Sequence, residues 1–182
     1  MIDFHKISHA LLMARTSGYR QLDTDWIVPA QFAAVTKPPD AIPYNVSGSM
    51  SGELVASGEI GLMMQAHNFP EPDLKLVTCT PCFRHETEYI PGYKQRWFLK
   101  VELMIANPTD DLRAAAEVMS MAKIIMGTWT RKLSFDPEIG DLHVGGIEVG
   151  SYGIREFKGF RWAYGTGLAE PRFSWALEQG KK

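Results

Sequence analysis

The sequence predicts an α+β domain: a mainly antiparallel sheet backed by helices. Three observations carry this. First, two alternating runs flank a loop that contains Pro91 and Gly92. Leu76, Thr78, Thr80, Cys82, Arg84 and Glu86 share one face of the first run; in the second, Trp97, Leu99, Val101, Leu103 and Ile105 oppose Phe98, Lys100, Glu102 and Met104. That period of two, broken by a Pro-Gly connection over Thr87–Arg96, reads as an antiparallel hairpin. Second, Val144-Gly145-Gly146-Ile147 carries the signature of a two-residue hairpin. Third, helical spacing of apolar residues recurs at Phe4, Ile7, Leu11 and Ala14, and again from Leu112 to Met126.

The elements follow in order. A helix is predicted over Ile2–Ala14, ended by Gly18, and then a strand over Tyr19–Val28, closed by Pro29. Lys37-Pro38-Pro39 and Pro43 mark a loop, and Ser47–Ser51 is a small-residue link. Ser57 is a good N-cap for a short helix whose buried stripe is Ile60, Met63 and Met64. After the first hairpin, Asn107–Asp111 opens the longest helix, with Leu112, Ala115, Ala116, Met119, Ala122 and Met126 on one stripe and Gly127 as its stop. The second hairpin follows, and then Tyr164-Gly165-Thr166-Gly167 runs through Pro171 and Arg172 into a helix over Phe173–Leu177.

A chain of 182 residues is long enough to bury a core as one domain, residues 1–182. Its net charge of −2 excludes a global basic field, so any RNA contact is local. Apolar runs are too short for a membrane span and no signal peptide opens the chain, which implies a cytoplasmic protein. Cys79 and Cys82 form a lone C-x-x-C on opposite strand faces, read as ordinary strand cysteines.

The polar residues suggest chemistry. The first hairpin aims Arg84, Glu86, Phe98, Lys100 and Glu102 at one space. An arginine fork for phosphate, a ring for a base and carboxylates for an amine or metal would together bind an adenylate; the alternative is a surface ion-pair ladder. In the second hairpin His143 faces Glu148, with Asp141 diagonal on the same side. Two carboxylates there suit Mg²⁺ held against phosphates, or else form a solvated polar face. Glu59, at the start of its helix, either binds a ligand or complements the helix dipole.

Phe83-Arg84-His85-Glu86, a loop, and Phe98 four residues before Glu102 resemble motif 2 of class II aminoacyl-tRNA synthetases. The helix, strand and Pro29 resemble motif 1, and Gly165-x-Gly167 followed by Arg172 resembles motif 3. The resemblance covers nearly the whole chain and implies a class II synthetase-like catalytic core, a ligase acting as a homodimer. It assigns Arg84 to the α-phosphate, Phe98 to adenine and Arg172 to adenine and the γ-phosphate, with Glu86 among the ATP-binding residues. Ser57-Gly58-Glu59 resembles the turn whose glutamate takes the substrate's α-amino group, and Glu102 joins Glu59 and Arg155 as amino-acid-binding residues. Asp141 and Glu148 match the acids that hold ATP-bound Mg²⁺ in the aspartate/asparagine/lysine subgroup, and Glu148-x-x-Ser151-x-Gly153-Ile154-Arg155 also resembles ammonia-dependent asparagine synthetase. The matching arginine there contacts a substrate carboxylate, which implies an aspartate-like amino acid; pairing of Arg155 with Glu156 or another nearby acid on the surface is the alternative. The expected function is ATP-dependent amino-acid activation, with transfer to tRNA as one of three competing outcomes. The chain stops soon after motif 3, so no anticodon-binding domain is expected. The alternatives are an adenylate-forming ligase with a non-tRNA acceptor, and a non-catalytic paralogue that binds nucleotide, tRNA or a protein partner.

Overall fold

The structure, a computed structural model, describes residues 1–37, 42–48, 51–86 and 88–180. Pro38, Pro39, Ser49, Met50 and Thr87, in the loops expected above, lie outside the described residues. Helix α1 spans Phe4–Thr16, and Asp3 caps it by accepting from the Lys6 amide at 3.1 Å. Two short strands follow, β1 (Arg20–Gln21) and β2 (Ile27–Val28), then the four-residue α2 (Ala30–Ala33), β3 (Asn45–Val46), β4 (Gly52–Leu54) and α3 (Glu59–Ala66). The long elements are β5 (Leu74–Phe83), β6 (Trp97–Ala106), α4 (Asp111–Gly127), β7 (Leu133–Asp136), β8 (Asp141–Val144), β9 (Ile147–Phe157), β10 (Phe160–Glu170) and α5 (Arg172–Gln179). Among the described residues no helix is long and apolar enough to cross a membrane.

Seven strands form the main sheet in the order β1-β5-β6-β10-β9-β8-β7, antiparallel throughout except for the parallel β1–β5 pair. Strands β2, β4 and β3 make a small antiparallel sheet. On one face of the main sheet, Val101, Leu103 and Ile105 of β6 pack with Ile7, Ala10 and Ala14 of α1 and Val118, Ala122 and Ile125 of α4. On the other, Leu76, Met104 and Trp162 pack against Leu62, Met63 and Ala66 of α3. Both hairpins form as expected: Cys82 pairs with Phe98, Thr80 with Lys100 and Thr78 with Glu102, while His143 pairs with Glu148 around the Gly145-Gly146 turn.

Four local expectations need correction. The strand expected over Tyr19–Val28 splits at Asp23 and Asp25, which are poor strand formers. Arg20–Gln21 joins the main sheet and Ile27–Val28 the small one. β5 stops at Phe83; the Arg84 amide still donates to the Arg96 carbonyl at 2.9 Å, but the Glu86 amide turns back to the Arg84 carbonyl at 3.0 Å. Glu86 therefore sits in a turn and not on the strand face. The buried stripe of α4 is Ala114, Val118, Met121, Ala122, Ile125 and Met126, and Leu112 is 84% exposed. Alanines, which suit either face, blurred the phase. The cap of α3 is Gly58, not Ser57, whose hydroxyl is used elsewhere.

Candidate functional site

The α3 face of the sheet turns polar toward its middle, where Thr78, Thr80, Lys100, Glu102 and Thr166 are all buried. Glu102 is the centre of this patch and is 0% exposed. Its Oε2 accepts from the Ser57 hydroxyl at 2.6 Å and pairs with Lys100 Nζ at 2.8 Å; its Oε1 is buried without a partner. An unpaired buried carboxylate oxygen costs free energy, and an incoming cationic or N–H donor would satisfy it. Gly58 lets the start of α3 come close to this patch, since a Cβ there would lie 2.5 Å from Thr80 Oγ1.

Next to Glu102, Glu59 is 2% exposed, with both oxygens engaged. Trp162 Nε1 donates to Oε1 at 2.7 Å, and Arg155 pairs with Oε2. Burial pushes the Glu59 carboxyl above the ordinary carboxylate range, against the pull of the Arg155 charge and with the help of nearby Glu102. The Arg155 guanidinium also lies over the Tyr164 ring, 4.0 Å from its centroid. Tyr164 reaches that position across Gly153, where a Cβ would meet its hydroxyl at 3.0 Å. Arg155 thus pairs with the buried Glu59, 96 residues away, and not with Glu156 or another nearby acid on the surface.

A second group lies at the mouth of the first hairpin. Arg84 rests over the Phe98 ring at 5.1 Å, so the expected phosphate and adenine residues touch one another. A third group joins α5 to the second hairpin. Arg172 Nη1 is 3.4 Å from Glu148 Oε1, and its guanidinium lies 5.2 Å from the Tyr93 ring centroid. Tyr93 in turn stacks on Trp175 at 5.0 Å, which Gly92 permits: a Cβ there would be 2.6 Å from Trp175 Cδ1. A bulge between Leu142 and His143 in the β8–β9 register brings Glu148 to the side of Ser151 and Asp141. Burial raises the Asp141 carboxyl, with Glu148 adding repulsion and the Ser151 hydrogen bond opposing it.

Two carboxylates that repel one another are a donor set that a divalent cation would neutralise. Among the described residues there is no cluster of three metal-ligating side chains, so an ion at Asp141 and Glu148 would need further oxygens from phosphates. Mg²⁺ is bound in that way, through one or two carboxylates plus substrate phosphates, and the residues fit it.

The glycines of the third motif make room for packing inside the protein. A Cβ at Gly165 would lie 2.4 Å from Tyr152 Cδ1 and 2.5 Å from Val118 Cγ1, and one at Gly167 3.2 Å from Leu103 and Val101. Both face the helix-side core. A bulge between Thr166 and Leu168 then sends Leu168 into the core opposite Val101 and Ala169 to the polar face opposite Lys100. The cysteines are free, on opposite faces, and burial pushes the Cys79 thiol up to about 11. Trp162, Tyr164, Tyr93, Trp175, Lys100 and Ser57 are the site residues to which the sequence reading gave no role of this kind. Only the common parity of Trp162, Tyr164 and Thr166 on β10 could have signalled two of them.

No protein-family description matches the sequence, and no curated protein does. Solved structures do match. Pyrrolysyl-tRNA synthetase from Desulfitobacterium hafniense superposes with a TM-score of 0.76 at 14% identity, over 97% of this chain and 69% of that one. Apo histidyl-tRNA synthetase from S. aureus gives 0.72 at 13%, over 98% and 66%. Seryl-tRNA synthetase from Pyrococcus horikoshii, complexed with ATP, gives 0.71 at 16%, over 96% and 49%. The chain has the fold of the class II aminoacyl-tRNA synthetase catalytic core.

Proposed function

We propose that this protein activates an amino acid as its adenylate. The observation that carries the reading is the conjunction of a buried carboxylate with a free oxygen on the polar sheet face, an arginine on a phenylalanine ring at the mouth of the first hairpin, and an arginine beside paired acids where α5 meets the second hairpin. In such a reaction the amino acid's carboxylate attacks the α-phosphorus of ATP in line and pyrophosphate leaves. No protein nucleophile is required, because positioning and charge stabilisation carry the step. Arg84 would slide from the Phe98 ring to the α-phosphate, leaving the ring to adenine, and Arg172 would move from Glu148 to the outer phosphates. Asp141 and Glu148 would hold Mg²⁺, which supplies charge neutralisation for the phosphates. Glu86, in its turn beside the hairpin mouth, would assist in ATP binding.

The amino acid's ammonium fits Glu102 Oε1, the free buried acceptor. Glu59 would need to release Arg155 or Trp162 to take it. The side-chain subsite is then Arg155 with Glu59. A free Arg155 suits an aspartate-like carboxylate. As paired here, the two offer a donor and an acceptor with no net charge, and this favours a carboxamide of the same length. The adenylate would pass to tRNA or to a non-RNA acceptor, and the protein would work as a homodimer through α1 and the strand ending at Pro29.

Amino-acid-dependent exchange of labelled pyrophosphate into ATP, run over the twenty amino acids, tests the reading. Exchange with aspartate or asparagine is the expected result. Nucleotide binding without exchange for any of them would leave a non-catalytic paralogue, and exchange with apolar amino acids alone would end the Arg155 assignment but keep adenylation.

A further inference from the structure

A cavity of about 240 Å³ opens beyond Trp162, away from the phosphate-binding groups. It is lined by Phe32, Met63, Met64 and Phe160, with Phe157, Lys158 and His67. Divided by a water's share of liquid volume, that is room for about eight water-sized groups, below the size of pockets for drug-sized ligands. The occupant is therefore small. Phe32 and Phe157 meet edge to face at 5.8 Å, and methionines fill the gap, giving an apolar and adaptable interior.

Polarity is confined to one side. Lys158 and His67 are both exposed, and Lys158 Nζ stands 5.3 Å from the Phe157 ring centroid. The two-residue turn between Phe157 and Phe160 fixes the lysine there: Lys158 has φ +51° and Gly159 φ +81°, which are type I′ values. No carboxylate lines the cavity, and no ion pair to Lys158 occurs among the described residues. At the end of α3 the His67, Asn68 and Phe69 amides close on the Met63, Gln65 and Ala66 carbonyls.

We infer that this cavity binds a small carboxylate with an aromatic or branched aliphatic body, the ring or chain among the phenylalanines and methionines and the carboxylate at Lys158. An α-amino acid is disfavoured, because its ammonium would find no acid. The site is thus distinct from the one proposed for activation, and it stands whether or not the chain forms adenylates. The two share a wall: Phe160 stacks on Trp162 at 5.5 Å, and the Trp162 indole holds Glu59.

Calorimetric titration of the full chain with 3-phenylpropionate, 3-phenylpropylamine and phenylalanine tests the inference. The carboxylate should bind and shift the methyl resonances of Met63 and Met64; the amine and the amino acid should bind more weakly by at least the two- to fivefold that an exposed ion pair carries. Lys158→Asn, which tolerates the left-handed turn, should weaken the carboxylate about two- to fivefold, the range an exposed ion pair carries. Lys158→Asp should reverse the preference toward the amine. Met64→Trp should fill the cavity and abolish binding; its thermal unfolding establishes that it folds, and Met64→Phe serves if it does not. Equal binding of amine and carboxylate, indifference to Lys158→Asp, or shifts confined to other methionines would overturn the proposal.

Discussion

Replacing Glu59 with alanine tests how the site is held together. The indole N–H of Trp162 is fully buried and loses its only acceptor, a cost of about 1–3 kcal/mol. One buried methylene goes as well, about 0.8 kcal/mol. Arg155 loses its partner too, but its side chain is 32% exposed and can recover hydration. Its share stays on the surface-pair scale of about 0–1 kcal/mol. Relief of the repulsion between Glu59 and Glu102 and of the burial of the Glu59 charge works the other way. The net loss should be about 2–4 kcal/mol, or about 5–15 °C in Tm for a chain of this length. Urea unfolding at neutral pH measures it, and the double variant with Arg155→Ala isolates the pair. Coupling of about 0.5–3 kcal/mol is expected for groups in contact. A loss below about 0.5 kcal/mol with additive single variants would refute the network described here. In thermal-shift titrations the variant should keep its response to ATP and lose its response to the amino acid.

Arg84→Ala should lower pyrophosphate exchange by about 10²–10³, the scale of one lost charge-stabilising donor, with unfolding unchanged; exchange at the parent rate would sink the assignment. Gly165→Ala places a Cβ 2.4 Å from Tyr152 and 2.5 Å from Val118 and should cost about 1–3 kcal/mol of stability, read by urea midpoint, without any nucleotide present. Glu170 is buried, and burial raises its carboxyl above the usual range against the Ser174 hydrogen bond and the Lys6 charge. A raised folded-state value means stability present below the unfolded value of about 4.3 and lost as pH rises through the folded one. Glu170→Gln should therefore gain on the parent between pH 4 and 7, and a pH-independent difference in urea midpoints would count against it. Light scattering at micromolar concentration should find a dimer; a monomer there would remove the proposed role of α1.

The sequence by itself determined the class of fold and its two hairpins, because period-two alternation and the Pro-Gly and Gly-Gly connections act through neighbours in the chain. It also placed Phe98, Glu102, Asp141 and Glu148 on the strands that carry them. Only the tertiary structure decided what those side chains touch. Two bulges, beside His143 and after Thr166, each shift the alternation by one residue, so no count along a strand could say that Glu148 shares a side with Ser151, or that Leu168 is core. The Glu59–Arg155 pair spans 96 residues and the Trp162 bond 103, and such partners are set by how α3 packs on the sheet. Gly165 and Gly167 show the same limit. Their positions in a nucleotide-like motif were legible, but the direction in which a Cβ would point depends on strand register and on the helix behind the sheet, and that direction is inward.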